Sequence, residues 1–142
     1  MISFVCGQLC SGKTLYSKAL AHICDGVYIE VGDIVREIKQ TQDRKILQHS
    51  GELFVEIVDN LKKQVKDFSG KDLIVSGVRQ QEILAAFPMS TLLWVECPKE
   101  ERMTRYSRRA RKGDTQTFEE AENGDINLGI LAVKNYIFSQ NK

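Results

Sequence analysis

The chain has 142 residues, a formal net charge of +1, 42% hydrophobic and 27% charged side chains. That composition suits one soluble globular domain with a continuous core. It gives no overall pull toward nucleic acid or an acidic membrane, and no apolar run is long enough for a membrane span or a signal-peptide core.

In chain order, residues 2–6 form a short apolar run suited to a buried strand. Residues 15–23 then follow with Leu15, Ala19, Leu20 and Ile23 along one helical side. Asp25-Gly26 turns the chain into a second strand over 27–31, and Gly32-Asp33 breaks it ahead of a helix over 34–39. Residues 41–50 are polar. Leu53, Phe54, Ile57, Val58, Leu61 and Val65 keep helical spacing to about Phe68, where Ser69-Gly70 stops it. Residues 73–76 make a third strand, apolar enough to be buried on both faces. A short helix over 80–87 ends at Pro88, a fourth strand covers 91–96, and Pro98 opens a charged helix to about Lys112. After Gly113-Asp114 come a polar stretch to Gly124, a helical segment over 126–133, and Tyr136-Ile137-Phe138 as a fifth strand. Strands alternating with helices, mostly as continuous apolar runs, predict one α/β domain with a parallel sheet covered by helices on both faces.

The first strand runs into Gly7-Gln8-Leu9-Cys10-Ser11-Gly12-Lys13-Thr14, which has the form G-x-x-x-x-G-K-[ST]. In that pattern backbone N–H groups wrap phosphate oxygens, the lysine neutralises them and the hydroxyl holds Mg²⁺. Its placement between strand and helix aims a helix N-terminus at the phosphates. Gly7, Cys10, Ser11, Gly12, Lys13 and Thr14 are therefore the candidate phosphate-binding residues, with Lys13 also catalytic and Thr14 a metal ligand. Cys6, Cys10, Cys24 and Cys97 include no C-x-x-C pair. They read as free thiols of a cytoplasmic protein rather than zinc ligands or disulfides. His22 and His49 have no nucleophile beside them in sequence and read as structural or surface residues. Tyr16, Tyr28 and Phe54 could stack on a base, but core packing is the simpler reading.

Three further stretches resemble the nucleoside monophosphate kinase group of P-loop proteins, which spans adenylate kinases, dephospho-CoA kinases and phage deoxynucleoside monophosphate kinases. Tyr28–Ile38 resembles the family's Gly-Asp-x-x-Arg segment, which implies that Arg36 grips an acceptor phosphate beside Asp33. Leu73–Ile83 resembles the end of the family's third strand. That implies a second acceptor-phosphate arginine, Arg79, followed by an acidic residue, Glu82. The strand-end aspartate of the family is Ser76 here, or Gly77 in the alternative alignment, which shifts the expected metal-organising role to Asp33. Glu96–Asp114 resembles the approach to the lid. The resemblance there implies that Arg105 and Arg109, on one face with Arg102, neutralise the moving phosphoryl charge, while other basic residues of this helix are solvated.

The resemblance implies a three-layer αβα P-loop sandwich with a five-stranded parallel sheet in the order 2-3-1-4-5. It also implies an acceptor-binding insert near 33–68, a short lid near 112–124, and a turn bringing Asn141 to the donor base. The chain would then lack the family's C-terminal helix, a minimal phage-like form. The implied activity is transfer of the ATP γ-phosphoryl group to a nucleoside or deoxynucleoside monophosphate with Mg²⁺. The expected partners are small-molecule nucleotides rather than nucleic acid or membrane, with homo-oligomerisation left open. A dephospho-CoA or other small-molecule kinase, needing a base such as Asp33, is the alternative enzyme. A nucleotide-binding module weakened by Ser76 is the alternative from another class.

Overall fold

The protein is described by a computed structural model covering residues 1–40, 53–109 and 116–140. Its centre is β1 (Ile2–Gly7), all six of whose residues are buried. Both faces of this strand are covered, so its near-continuous apolar sequence is what a central parallel strand requires. β1 pairs in parallel with β3 (Leu73–Ser76) on one side and β4 (Thr91–Val95) on the other, and β2 (Val27–Glu30) lies outside β3. The sheet order is β2-β3-β1-β4.

The alternation of side chains along β1 divides the core in two. Phe4 and Cys6 face α2 (Val31–Lys39), α3 (Phe54–Asp67), α4 (Gln81–Ala85) and α7 (Ile130–Gln140), meeting Ile34, Leu61, Ile83 and Ile137 in one cluster. Val5 faces the other way, with Ile74 and Ala21 of α1 (Lys13–Ile23). Each such large side chain, fully buried, contributes on the order of 1.5–3 kcal/mol. A third, smaller cluster sits under the glycine loop, where Leu9 packs with Phe118 and Ala121 of α6 (Phe118–Leu128) and with Tyr106 of α5 (Lys99–Arg108). Leu9 is thereby pinned from below. The loop rests on packed side chains.

The structure corrects the end of the chain. Residues 136–138 are not a fifth strand but the interior of α7, so the described sheet has four strands and the last described residues are helical. The physical reason is periodicity: Ile130, Val133 and Ile137 are all buried at helical spacing and cover Phe4 and Leu92. That face outweighs the strand propensity of Tyr136-Ile137-Phe138. α6 and α7 join at Gly129, whose φ of 126° favours a residue without Cβ. The helix after Pro98 is shorter than the sequence implied, since α5 ends at Arg108 and Arg109 is already extended. Gly32 and Asp33, expected as a break, instead sit in the first turn of α2. The Glu30 side chain caps that helix by accepting from the Gly32 N–H. Much of the expected insert (33–68) and lid (112–124) is helical, in α2, α3 and the start of α6. His49 and Asn141 lie outside the described residues.

Candidate active site

Parallel strands put all their carboxyl ends at one edge, and the chain reverses its direction of travel across the sheet beside β1. That switch point is where open α/β sheets hold ligands. Here it carries a cleft of about 350 Å³ whose walls include Cys10 to Thr14, Lys18, Glu30, Arg79, Arg105 and Arg109.

The glycine loop has the shape its motif requires. Gly12 has a φ of 94° and Cys10 a φ of 60°, so the chain twice enters the left-handed region while winding into α1. A Cβ on Gly7 would run into Ser11 Oγ and come within 2.8 Å of the Val95 carbonyl oxygen. Ser11 N–H donates to the Gln8 carbonyl at 3.1 Å, closing the turn. Ser11 Oγ is buried without a hydrogen-bond partner, an orphan hydroxyl inside the glycine loop. Lys13 Nζ arches back to donate to the Gln8 carbonyl at 3.4 Å, across the mouth of the loop.

Two arginines approach this loop, Arg105 from α5 and Arg109 from the residue just past its end. Arg105 Nη1 donates to the Cys10 carbonyl at 3.2 Å, and its Nη2 pairs with Glu101 at 2.9 Å. Arg109 stacks its guanidinium on the Tyr106 ring, 4.7 Å from the centroid, and lines the cleft. Arg102 does not share that role. It is 4% exposed, donates to the Leu9 and Cys97 carbonyls and pairs with Glu122 at 2.6 Å.

From the other wall comes Arg79, just beyond β3. Its Nε pairs with the buried Asp125 of α6 at 2.9 Å and its Nη1 donates to the Gly77 carbonyl at 3.2 Å. Asp125 foremost, with Glu30 adding to it, raises the Arg79 pKa further, so this guanidinium is a fixed cation. Below it, burial pushes the Cys6 thiol up to about 12 despite the nearby Lys13 and Arg79 charges, so it is an inert neutral floor.

Asp33 and Arg36 are not brought into the cleft. They pair with each other at 2.9 Å on α2, with the Asp33 side chain 75% exposed, and neither forms part of the lining. Glu82 is exposed on α4, and His22 is exposed on α1. The carboxylate that does face the loop is Glu30, at the carboxyl end of β2. It accepts from Tyr28 Oη at 2.8 Å and from the Gly32 N–H at 3.2 Å. Burial, reinforced by that carboxylate, drives the Tyr28 pKa upward, which keeps the phenol a donor. The hydroxyls of Thr14 and Ser76 lie beside Tyr28. Ser76 Oγ itself is buried and forms no well-directed hydrogen bond. Gly77, with φ 91°, is what makes room: a Cβ there would overlap the Glu30 carboxylate.

Sequence reading missed Glu30, Lys18 and Asp125. For Glu30 a signal existed, an acid closing an apolar strand with a glycine two residues on. Lys18 reaches the cleft because it is one helical turn beyond Thr14, lying 5.6 Å from the Tyr28 ring centroid.

A family model described as an AAA domain, AAA_18, matches residues 4–126. The chain belongs to the AAA_18 family. No curated protein sequence matches this AAA domain. Among solved structures, shikimate kinase from Acinetobacter baumannii in complex with shikimate is similar at 16% identity and a TM-score of 0.63, covering 98% of this chain and 78% of that one. Shikimate kinase from Aquifex aeolicus is similar at 18% identity and a TM-score of 0.59, covering 99% and 83%. An uncharacterized protein from Eubacterium ventriosum is similar at 15% identity and a TM-score of 0.57, covering 96% and 75%. At such identities the likeness shows the fold. The AAA_18 domain has a P-loop kinase fold, α/β with a parallel sheet in the order 2-3-1-4. No helix among the described residues is long and apolar enough to cross a membrane.

Proposed function

We propose that the cleft binds ATP with Mg²⁺ and transfers the γ-phosphoryl group to a nucleoside or deoxynucleoside monophosphate. The observation that carries this reading is the charge of the cleft. Among the described residues, Lys13, Lys18, Arg79, Arg105 and Arg109 line it against one carboxylate, Glu30. So concentrated a positive field, on a chain of net charge +1, suits two phosphate-bearing ligands at once.

The residues present fit the donor. The loop from Gly7 to Thr14 offers the orphan Ser11 hydroxyl and Lys13, and its sequence pattern is one whose backbone N–H groups wrap phosphate oxygens. Thr14 Oγ1 and the Glu30 carboxylate are the oxygen donors that would hold Mg²⁺, directly or through water, Thr14 as expected and Glu30 in the place foreseen for Asp33. When bound, the metal neutralises charge on the β- and γ-phosphate oxygens. Arg105 is already anchored on the loop through Cys10, and with Arg109 it faces the transferring group from the α5 side. Arg79 meets the acceptor phosphate from the β3 side. Arg36, paired with Asp33 outside the lining, is left a secondary role at the rim. A phosphate acceptor is anionic near neutral pH, so no general base is needed and the chemistry rests on alignment and electrostatic stabilisation.

Glu30 favours a second reading. A carboxylate lining the cleft could take a proton from a hydroxyl acceptor, as a small-molecule kinase requires. Transfer from γ-labelled ATP to a panel of nucleoside monophosphates, dephospho-CoA and shikimate separates the two. The first reading is expected to give label on a monophosphate. Label only on a hydroxyl acceptor overturns it, and tight ATP binding with no transfer at all identifies a nucleotide-binding module.

A further inference from the structure

α6 carries two buried acids three residues apart, so they lie one above the other on the same helical face. Glu122, 6% exposed, pairs with Arg102; Asp125, 2% exposed, pairs with Arg79. The two arginines serve opposite sides of the cleft, Arg102 from behind the glycine loop and Arg79 from within the lining. Arg102 comes from α5 and donates to the Leu9 carbonyl inside the glycine loop at 3.3 Å. Arg79 comes from the segment after β3 and lines the cleft itself.

The attachment at the Arg79 end is double. Besides the ion pair, the junction of α6 and α7 runs so close to the Arg79 backbone that a Cβ on Gly129 would stand 3.0 Å from the Arg79 carbonyl oxygen. The other end is also built up. Phe118 packs under Leu9, with the Arg102 guanidinium 5.6 Å from its ring centroid. Thr117 and Glu120 close a capping box that fixes where α6 begins.

We infer that α6 is the strut that sets the distance between the two halves of the site, Glu122 registering the glycine loop through Arg102 and Asp125 registering Arg79. This inference rests on the phosphotransfer reading above for what the two halves bind. Neither acid faces the cleft, so both are positioning residues. Losing the Asp125 charge frees Arg79 to choose other rotamers. Losing the Glu122 charge loosens Arg102 and the Leu9 carbonyl it holds. The two defects fall on different ligands.

The test compares Asp125→Asn and Glu122→Gln, both isosteric, in three measurements. Side-chain ¹⁵N spectra, with Arg79 assigned by its loss in Arg79→Lys, are expected to show the Arg79 Nε–H slow to exchange in wild type and Glu122→Gln. In Asp125→Asn it should merge with the solvent-exposed arginines. Calorimetry is expected to show monophosphate affinity falling about tenfold or more in Asp125→Asn, with ATP affinity changing less than about twofold, and the opposite pattern in Glu122→Gln. KM values for the two substrates should split the same way. An unchanged Arg79 signal in Asp125→Asn, or equal weakening of both ligands by both variants, overturns the strut. If Asp125→Asn does not fold, Asp125→Glu keeps the charge but displaces the guanidinium, and the same monophosphate-specific loss is expected. A wild-type protein that binds no monophosphate refutes the acceptor assignment, and the Arg79 signal and the Glu122→Gln effect on ATP then decide the strut alone.

Discussion

Gly77→Ala tests whether backbone geometry at the end of β3 exists to seat the Glu30 carboxylate. Gly77 has a φ of 91°, and an added Cβ would overlap Glu30. Forcing alanine into the left-handed region costs about 1–2 kcal/mol. Displacing Glu30 also removes the acceptor of the Gly32 N–H at the start of α2, worth about 0.5–2 kcal/mol for a helix cap. Gly70 supplies the control, because its φ of 87° is nearly the same but nothing lies within 4 Å of its would-be Cβ. Gly70→Ala should therefore show the conformational cost alone, and Gly77→Ala that cost plus the cap, about 1.5–4 kcal/mol in all. For a chain of this size each kcal/mol lowers Tm by about 3–4 °C, which resolves the two by differential scanning fluorimetry. ATP turnover should fall by about tenfold or more in Gly77→Ala and stay unchanged in Gly70→Ala. Equal Tm losses with full activity in Gly77→Ala would refute the reasoning, since the Glu30 carboxylate would then be dispensable or reach its place by another route.

Lys13→Ala is expected to abolish ATP-dependent transfer while Tm moves by no more than about 1–2 °C, because a single half-exposed lysine contributes little to folding; retained turnover would remove the loop from the mechanism. Ile137→Ala should cost about 2–5 kcal/mol by chemical denaturation, since Ile137 is 1% exposed on the face of α7 that covers the sheet. Cys6 makes stability depend on alkaline pH. Its pKa rises from an ordinary 9.0 to about 12 on folding, so its contribution is complete below pH 9 and lost as pH climbs toward 12. The slope in that window approaches about 1.4 kcal/mol per pH unit from this group, and Cys6→Ala should flatten the curve by that amount. Without denaturant, a thiol reagent at pH 8 should modify exposed Cys24 and spare buried Cys6 and Cys97, as mass spectrometry of the labelled peptides will show.

The glycine loop was legible because its chemistry is written in consecutive residues, and the strand and helix beside it are each strongly patterned. Arg79, Arg105 and Arg109 were named only through the resemblance to nucleoside monophosphate kinases, and the fold sets all three in the lining of the cleft. What sequence order hides is which acid faces the loop. Asp33 looks better placed than Glu30 along the chain, but α2 begins at Val31, and its first turn carries Asp33 out to solvent to pair with Arg36. Asp125 was invisible for a longer-range reason, as its partner Arg79 lies in a different element and only packing joins them. The final helix was misread because three aromatic and aliphatic residues in a row satisfy strand and helix alike. The deciding period, from Ile130 through Val133 to Ile137, emerges only over a longer window.

The direction of β1 has a practical consequence. Met1 joins the ladder through its carbonyl, which accepts from the Leu73 N–H, and six residue steps of extended chain carry it to Gly7, where the loop begins. At about 3.3 Å per residue, that sets the amino end about 20 Å from Gly7, on the opposite rim of the sheet. A tether attached there would leave the cleft open to solution. An attachment engineered at the Met1 rim therefore suits surface-based kinetics, with the mouth of the cleft pointing outward.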